Sequence, residues 1–220
     1  MPRPLGDAEG ERLELPEYYA DFPRHFRHAR EFWKLERGQV YAEPGDASWE
    51  AFNGGDWGES MRLIEERRED LKRYREEVVA GTATRRVRIV SLPPTPYLQW
   101  ELEVFRVREE TGDQIRVLDE SAVAPLEDHG LLPDISTMDT DVMYQVVYDE
   151  HGVLAYVLRY TDKPLVSRCR DFIADLYQNG EPIISFFERE IAHLPPPHLA
   201  GPALPGDYLE TSGRPRPPRS

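Results

Sequence analysis

The chain has 220 residues, 41 acidic against 27 basic side chains and a formal net charge of -14; this length suits one main domain, and the acidic balance argues against direct nucleic-acid contact, which needs a surplus of Lys and Arg on some face. No window approaches the roughly 18 consecutive apolar residues that span a bilayer, and the opening MPRPLGDAEGERLELPEYY has no apolar signal segment. The single cysteine, Cys169, makes no internal disulfide, so the expectation is a cytoplasmic protein without membrane contact.

Residues 1–16 are polar and charged, and residues 195–220 are rich in Pro and Gly. We therefore expect a flexible N-terminal segment (1–16), one folded domain (17–194) and a disordered Pro-rich tail (195–220). Within the domain, Phe22, Phe26 and Ala29 share a helical stripe over Tyr19 to Ala29, with Pro23 fitting only near the first turn, and EFWKLERGQVY reads as extended. Asp46 caps a short helix ending at Ala51, and Trp49, Phe52 and Trp57 are expected to close over the core.

Leu63, Ile64, Leu71, Tyr74 and Val78 recur at helical spacing, which predicts one long amphipathic helix over Glu59 to Ala80, stopped by Gly81. Its run EERREDLKRYREE mixes both charge signs at i,i+3 and i,i+4 and reads as a solvated face. Strands are predicted at Arg85 to Ser91, Tyr97 to Val107, Gln114 to Asp119, Asp141 to Asp149 and Val153 to Tyr160, the last two joined by the turn DEHG as a hairpin. Asp162 then caps a helix from Lys163 to Gln178, and Pro182 starts a short one through Ile191. This order predicts an α+β fold: a mainly antiparallel sheet of five or six strands packed against the long helix and C-terminal helices, without repeated βαβ units.

The richest stretch is TRRVRIVSLPPTPYLQWEL. Read as two strands, it puts Arg86 and Arg88 on one face, and Tyr97, Gln99 and Glu101 on one face of the next. If those faces meet, two guanidiniums, a phenol, an amide and a carboxylate converge as a ligand-binding set: Arg86, Arg88, Tyr97, Gln99 and Glu101. The alternative is structural ion pairing between adjacent strands, which contributes about 0.2–1 kcal/mol.

With HFRHAREFWKLERGQVY, the long helix, GDQIRVL and the VMYQVVYDEHGVLAYV hairpin, this stretch resembles an uncharacterised domain family widespread in actinobacteria, over about Phe22 to Phe187. The resemblance implies a domain of unknown function, often encoded near helix-turn-helix regulators and sometimes in specialised-metabolite gene neighbourhoods. It implies no catalytic residue. Leu92 stands where the family has an acidic residue and Gln99 where it has arginine, while Arg86, Arg88, Tyr97 and Glu101 match.

The chain has no glycine-rich phosphate loop, HExxH, paired CxxC or GxSxG. His25 and His28 are spaced for a metal on a helix, but Arg24, Arg27 and Arg30 oppose a cation. His129 and His151 fall in turns, and Asp134, Asp139 and Asp141 match no calcium loop. No metal or cofactor is expected. The leading expectation is a cytoplasmic accessory or regulatory protein whose polar sheet face binds a protein partner or a small polar or anionic molecule, with a hetero- or homo-oligomer left open. The alternative is a metal-free metabolite-modifying enzyme or enzyme subunit of specialised metabolism, catalysing ring closure or elimination. There Arg86 and Arg88 would hold an anionic group while Glu101 or Tyr97 moves a proton.

Overall fold

A computed structural model describes residues 5, 6 and 8–199. In chain order, β1 (Glu11–Glu14), α1 (Leu15–Phe26) and β2 (Glu31–Glu36) precede three helices, α2 (Ala47–Asn53), α3 (Trp57–Glu66) and α4 (Arg68–Glu77). Next come β3 (Ala83–Val90), α5 (Pro96–Glu110), β4 (Gln114–Asp119) and α6 (Glu120–Val123). The chain continues through β5 (Ile135–Met138), β6 (Val142–Tyr148), β7 (Leu154–Tyr160), α7 (Lys163–Asn179), β8 (Glu181–Pro182) and α8 (Ile183–Glu190). The strands form one mixed sheet in the order β1-β7-β6-β5-β2-β3-β4-β8.

The fold is α+β and its sheet is mostly antiparallel, but it has eight strands rather than five or six, and β2, β3 and β4 run parallel. Parallel neighbours need crossover connections. The helices α2 to α4 supply the first and α5 the second, so two crossover units stand where the sequence suggested none. Glu11–Glu14, assigned from sequence to the flexible segment, pairs as edge strand β1 with β7. At the other end, Leu199 packs beside the Tyr41 and Trp49 cluster; residues 200–220 of the expected tail lie outside the described residues.

One sheet face carries Trp33, Leu35, Val87, Ile89 and Leu118 and is covered by Leu165, Val166, Cys169 and Ile173 of α7. Asp162 begins that helix by accepting the Leu165 amide at 2.9 Å. Burying one such aliphatic side chain contributes about 1.5–3 kcal/mol. On the other face, α1 packs Phe22 and Phe26 over β2 and β6, and α5 packs Leu98, Leu102 and Phe105 over Ile115 and Val117 of β4 with help from α8.

Three predicted elements change. The expected strand Tyr97 to Val107 is α5: Thr95 Oγ1 accepts the Leu98 amide at 3.1 Å, and Pro96 supplies a helix-compatible first residue. The expected long helix breaks at Arg67, whose guanidinium is held by the Asp46 carboxylate at 2.6 and 2.5 Å and ties the break to the cap of α2. The first helix starts at Leu15 rather than Tyr19, which places Pro23 near its end. The β6–β7 hairpin turns at Gly152, whose φ of 73° is in the left-handed region open to glycine.

Candidate functional site

The alternation in EFWKLE and TRRVRIV turns Lys34, Glu36, Arg86 and Arg88 to the helix-covered face of the sheet opposite α7. The parallel register sets Lys34 beside Arg86 and Glu36 beside Arg88. Lys34 Nζ lies 2.5 Å from Glu36 Oε1, and Arg86 donates to the same carboxylate. Burial raises the Glu36 carboxyl, but Arg86, Lys34 and Arg88 outweigh it and hold the group well below the usual carboxylate range.

Helix α5 brings Tyr97 and Glu101 above this row at i,i+4 spacing. Arg88 Nε donates to Glu101 Oε2 at 2.6 Å, and Nη1 donates to the carbonyls of Glu36 and Ile89 at 3.3 and 3.2 Å. The guanidinium carbon of Arg88 lies 5.5 Å from the Tyr41 ring centroid. Arg88 is 0% exposed and Glu101 5%. Burial, reinforced by Glu36, moves the Glu101 carboxyl upward despite Arg88; Arg88 is held charged, the surrounding anions outweighing burial.

The Tyr97 hydroxyl lies 3.1 Å from both Glu101 Oε1 and Glu43 Oε1. One phenolic proton cannot serve two carboxylates, so a neutral Glu43 donating to Tyr97, with Tyr97 donating to Glu101, satisfies the chain. Burial of its carboxyl, then the charge of Glu101, pushes Glu43 up to about 7, although the residue as a whole is exposed. A carboxyl raised in the folded state favours folding below its ordinary range, and that contribution is lost as pH rises towards 7. Glu43→Gln should therefore gain stability relative to the parent between about pH 5 and pH 8. Thermal melts across that range check the sign; a parent that gains on the variant would contradict it.

Of the five residues singled out by sequence, Arg86, Arg88, Tyr97 and Glu101 gather in one cluster. Gln99 does not: its amide donates to the Pro195 carbonyl at 2.8 Å. Arg88, Tyr97 and Glu101 are buried, so the gathering is sealed under α5 rather than open to water. Sequence reasoning missed Lys34, Glu36, Tyr41 and Glu43, although the alternation that selected Arg86 and Arg88 also runs through Phe32, Lys34 and Glu36. Asp134, Asp139 and Asp141 are separated in use. Asp134 accepts from Tyr41, Asp139 caps the amides of Arg30 and Glu31, and Asp141 pairs with Lys163. Among the described residues no group of three or more His, Cys, Asp or Glu gathers for a metal.

Beside the sealed cluster, a hollow of about 230 Å³ opens between α1, α4 and the sheet. Lys34, Arg86 and Ser136 line its floor, with Phe22, Phe26 and Tyr74 among its walls. Arg88, Tyr97, Gln99 and Glu101 do not line it.

Fold and site together define an α+β domain with a mostly antiparallel sheet, a sealed ionic cluster and an adjoining open hollow. The chain belongs to the family described as Domain of unknown function (DUF6879), whose model matches residues 20–188. No curated protein matches the chain in sequence. Among solved structures, one match is TrmBL2, an archaeal chromatin protein described as showing a novel mode of DNA binding. It has a TM-score of 0.42 and 10% identity, and the match covers 80% of this chain and 54% of that one.

One expectation is corrected: the exclusion of direct nucleic-acid contact is withdrawn, because net charge sums over a whole surface whereas contact needs only a local basic face. A likeness this distant names no partner for this chain. Among the described residues, no helix is long and apolar enough to cross a membrane.

Proposed function

We infer that this domain binds rather than transforms: it is an accessory or regulatory module of the cytoplasm whose polar sheet face receives a small ligand. The hollow of about 230 Å³ carries this reading, because it sets basic groups at the floor of an aromatic-walled space. Its separation from Tyr97 and Glu101 argues for binding over catalysis. Tyr97 and Glu101, the acid and base of the enzymatic alternative, are absent from its lining and already bonded to one another. A cavity of about 150 Å³ holds benzene, so this one has room for more. The lone, buried Cys169 suits a reducing compartment.

Leu71 on α4 faces the hollow and is half-buried. Leu71→Trp should fill the space with little loss of fold, and ligands that raise the melting temperature of the parent should then shift it by less than about a tenth as much. Screening a metabolite panel by thermal shift with both proteins tests this. Flat responses from the parent, or shifts that survive in Leu71→Trp, would overturn the reading.

A further inference from the structure

We propose that the hollow is built for a planar aromatic acid, with the acid group on Lys34 and Arg86 and the ring system against the aromatic side chains of α1 and β2. The proposal rests on the binding role inferred above and adds the ligand's chemistry. Its first support is the row of side chains across the floor. Ser136, Lys34 and Arg86 occupy adjacent positions on β5, β2 and β3. A hydroxyl, an ammonium and a guanidinium therefore stand side by side on one face, each able to donate to an oxyanion.

Charge supplies the second support. Lys34 and Arg86 share one carboxylate, Glu36. At the other end of the hollow Arg75 and Arg108 share Asp113, at 2.9 and 2.7 Å. Arg85 is left out because its guanidinium stacks over Trp33 on the far face, 4.8 Å from the ring centroid. Glu109 lies outside the lining and accepts the Ile115 amide. Four cations thus face two carboxylates around one space, in a chain where acidic residues outnumber basic ones by 41 to 27. Cations lodged in a partly desolvated wall favour an anion that completes their pairing.

The walls select the rest of the molecule. Phe26 and Phe32 meet edge to face at 5.5 Å and 78°, and Phe22 meets Phe32 at 6.0 Å and 77°. Tyr74, 48% exposed, stands in the wall from α4. Aromatic pairs prefer these geometries over a flat sandwich, so a bound ring finds both faces and edges. By comparison with a benzene-sized cavity the volume takes about nine non-hydrogen atoms, one ring and a carboxylate, and a second fused ring extends through the open side of the hollow.

Calorimetric titration of the full chain with 2-naphthoate, 2-naphthamide, decanoate and inorganic phosphate tests the assignment. The expected result is that naphthoate binds about ten- to a hundredfold more tightly than its neutral amide, the range for a charge-assisted contact, and more tightly than decanoate or phosphate. Lys34→Met, which leaves the Glu36–Arg86 pair in place, should remove most of that preference by weakening naphthoate far more than naphthamide. Equal binding of acid and amide overturns the acid assignment, decanoate matching naphthoate overturns the aromatic one, and phosphate matching naphthoate removes the need for a ring. None of these touches the binding role. That role falls only if the wider panel gives no shift sensitive to Leu71→Trp, whereas a panel ligand of another class binding there sinks this proposal alone.

Discussion

Glu101→Leu should destabilise the domain by about 3–5 kcal/mol, the loss expected when one member of a buried ion pair is removed. Arg88 is 0% exposed. Its remaining hydrogen bonds go to two backbone carbonyls at 3.2 and 3.3 Å, and the carboxylate of Glu36 is already shared by Lys34 and Arg86. Without Glu101 the guanidinium keeps its charge and loses its closest counterion. Arg88→Met combined with Glu101→Leu should recover most of the loss, because the pair's net contribution is small even though breaking it is costly. Urea unfolding of the parent, both single variants and the double variant closes this cycle. A Glu101→Leu loss below about 1 kcal/mol would mean that the cluster is wetter than its exposure indicates.

The same residues show how far the chain can be read without coordinates. Alternation in RRVRIV put Arg86 and Arg88 on one face, and in a strand buried on both sides that pattern holds. The segment after Pro96 was harder. Its residues 97 to 102 are all buried, so no polar stripe marks a helix, and Tyr97, Gln99 and Glu101 alternating with Leu98, Trp100 and Leu102 imitate a strand. The error nevertheless kept Tyr97 and Glu101 together, since i,i+4 is one face in a helix and also one face in a strand, whereas Gln99 at i+2 shares that face only in a strand. The β6–β7 hairpin was legible because its turn residues are local. The two-residue β8 and the pairing of β1 with β7 were not, because each depends on a distant partner and leaves little periodicity of its own.

Asp134 depends on distance in sequence too, and it carries the second large expected effect. It precedes β5 and accepts the Arg37 amide at 2.5 Å and the Tyr41 hydroxyl at 2.6 Å. Tyr41 in turn lies 4.5 Å from Tyr148 and 5.5 Å from Tyr97, ring centroid to centroid. Asp134→Ala leaves two buried donors without acceptors, at about 1–3 kcal/mol each, so a loss of about 2–6 kcal/mol is expected. Asp134→Asn should cost less, because its one oxygen keeps a donor while its amide nitrogen faces the other. The pH dependence separates the two acceptors. Burial raises the Asp134 carboxyl above its usual value in spite of both hydrogen bonds, with Glu36 adding to the rise. The folded state therefore holds this proton longer than the unfolded chain, and the stability so gained is present at low pH and lost as pH rises through the raised value. Asparagine has no such titration. The advantage of the parent over Asp134→Asn should accordingly shrink as pH rises above about 4, the ordinary aspartate value. Denaturation midpoints taken upward from there decide it: an advantage that grows with pH would place the two hydrogen bonds, not burial, in control of the carboxyl.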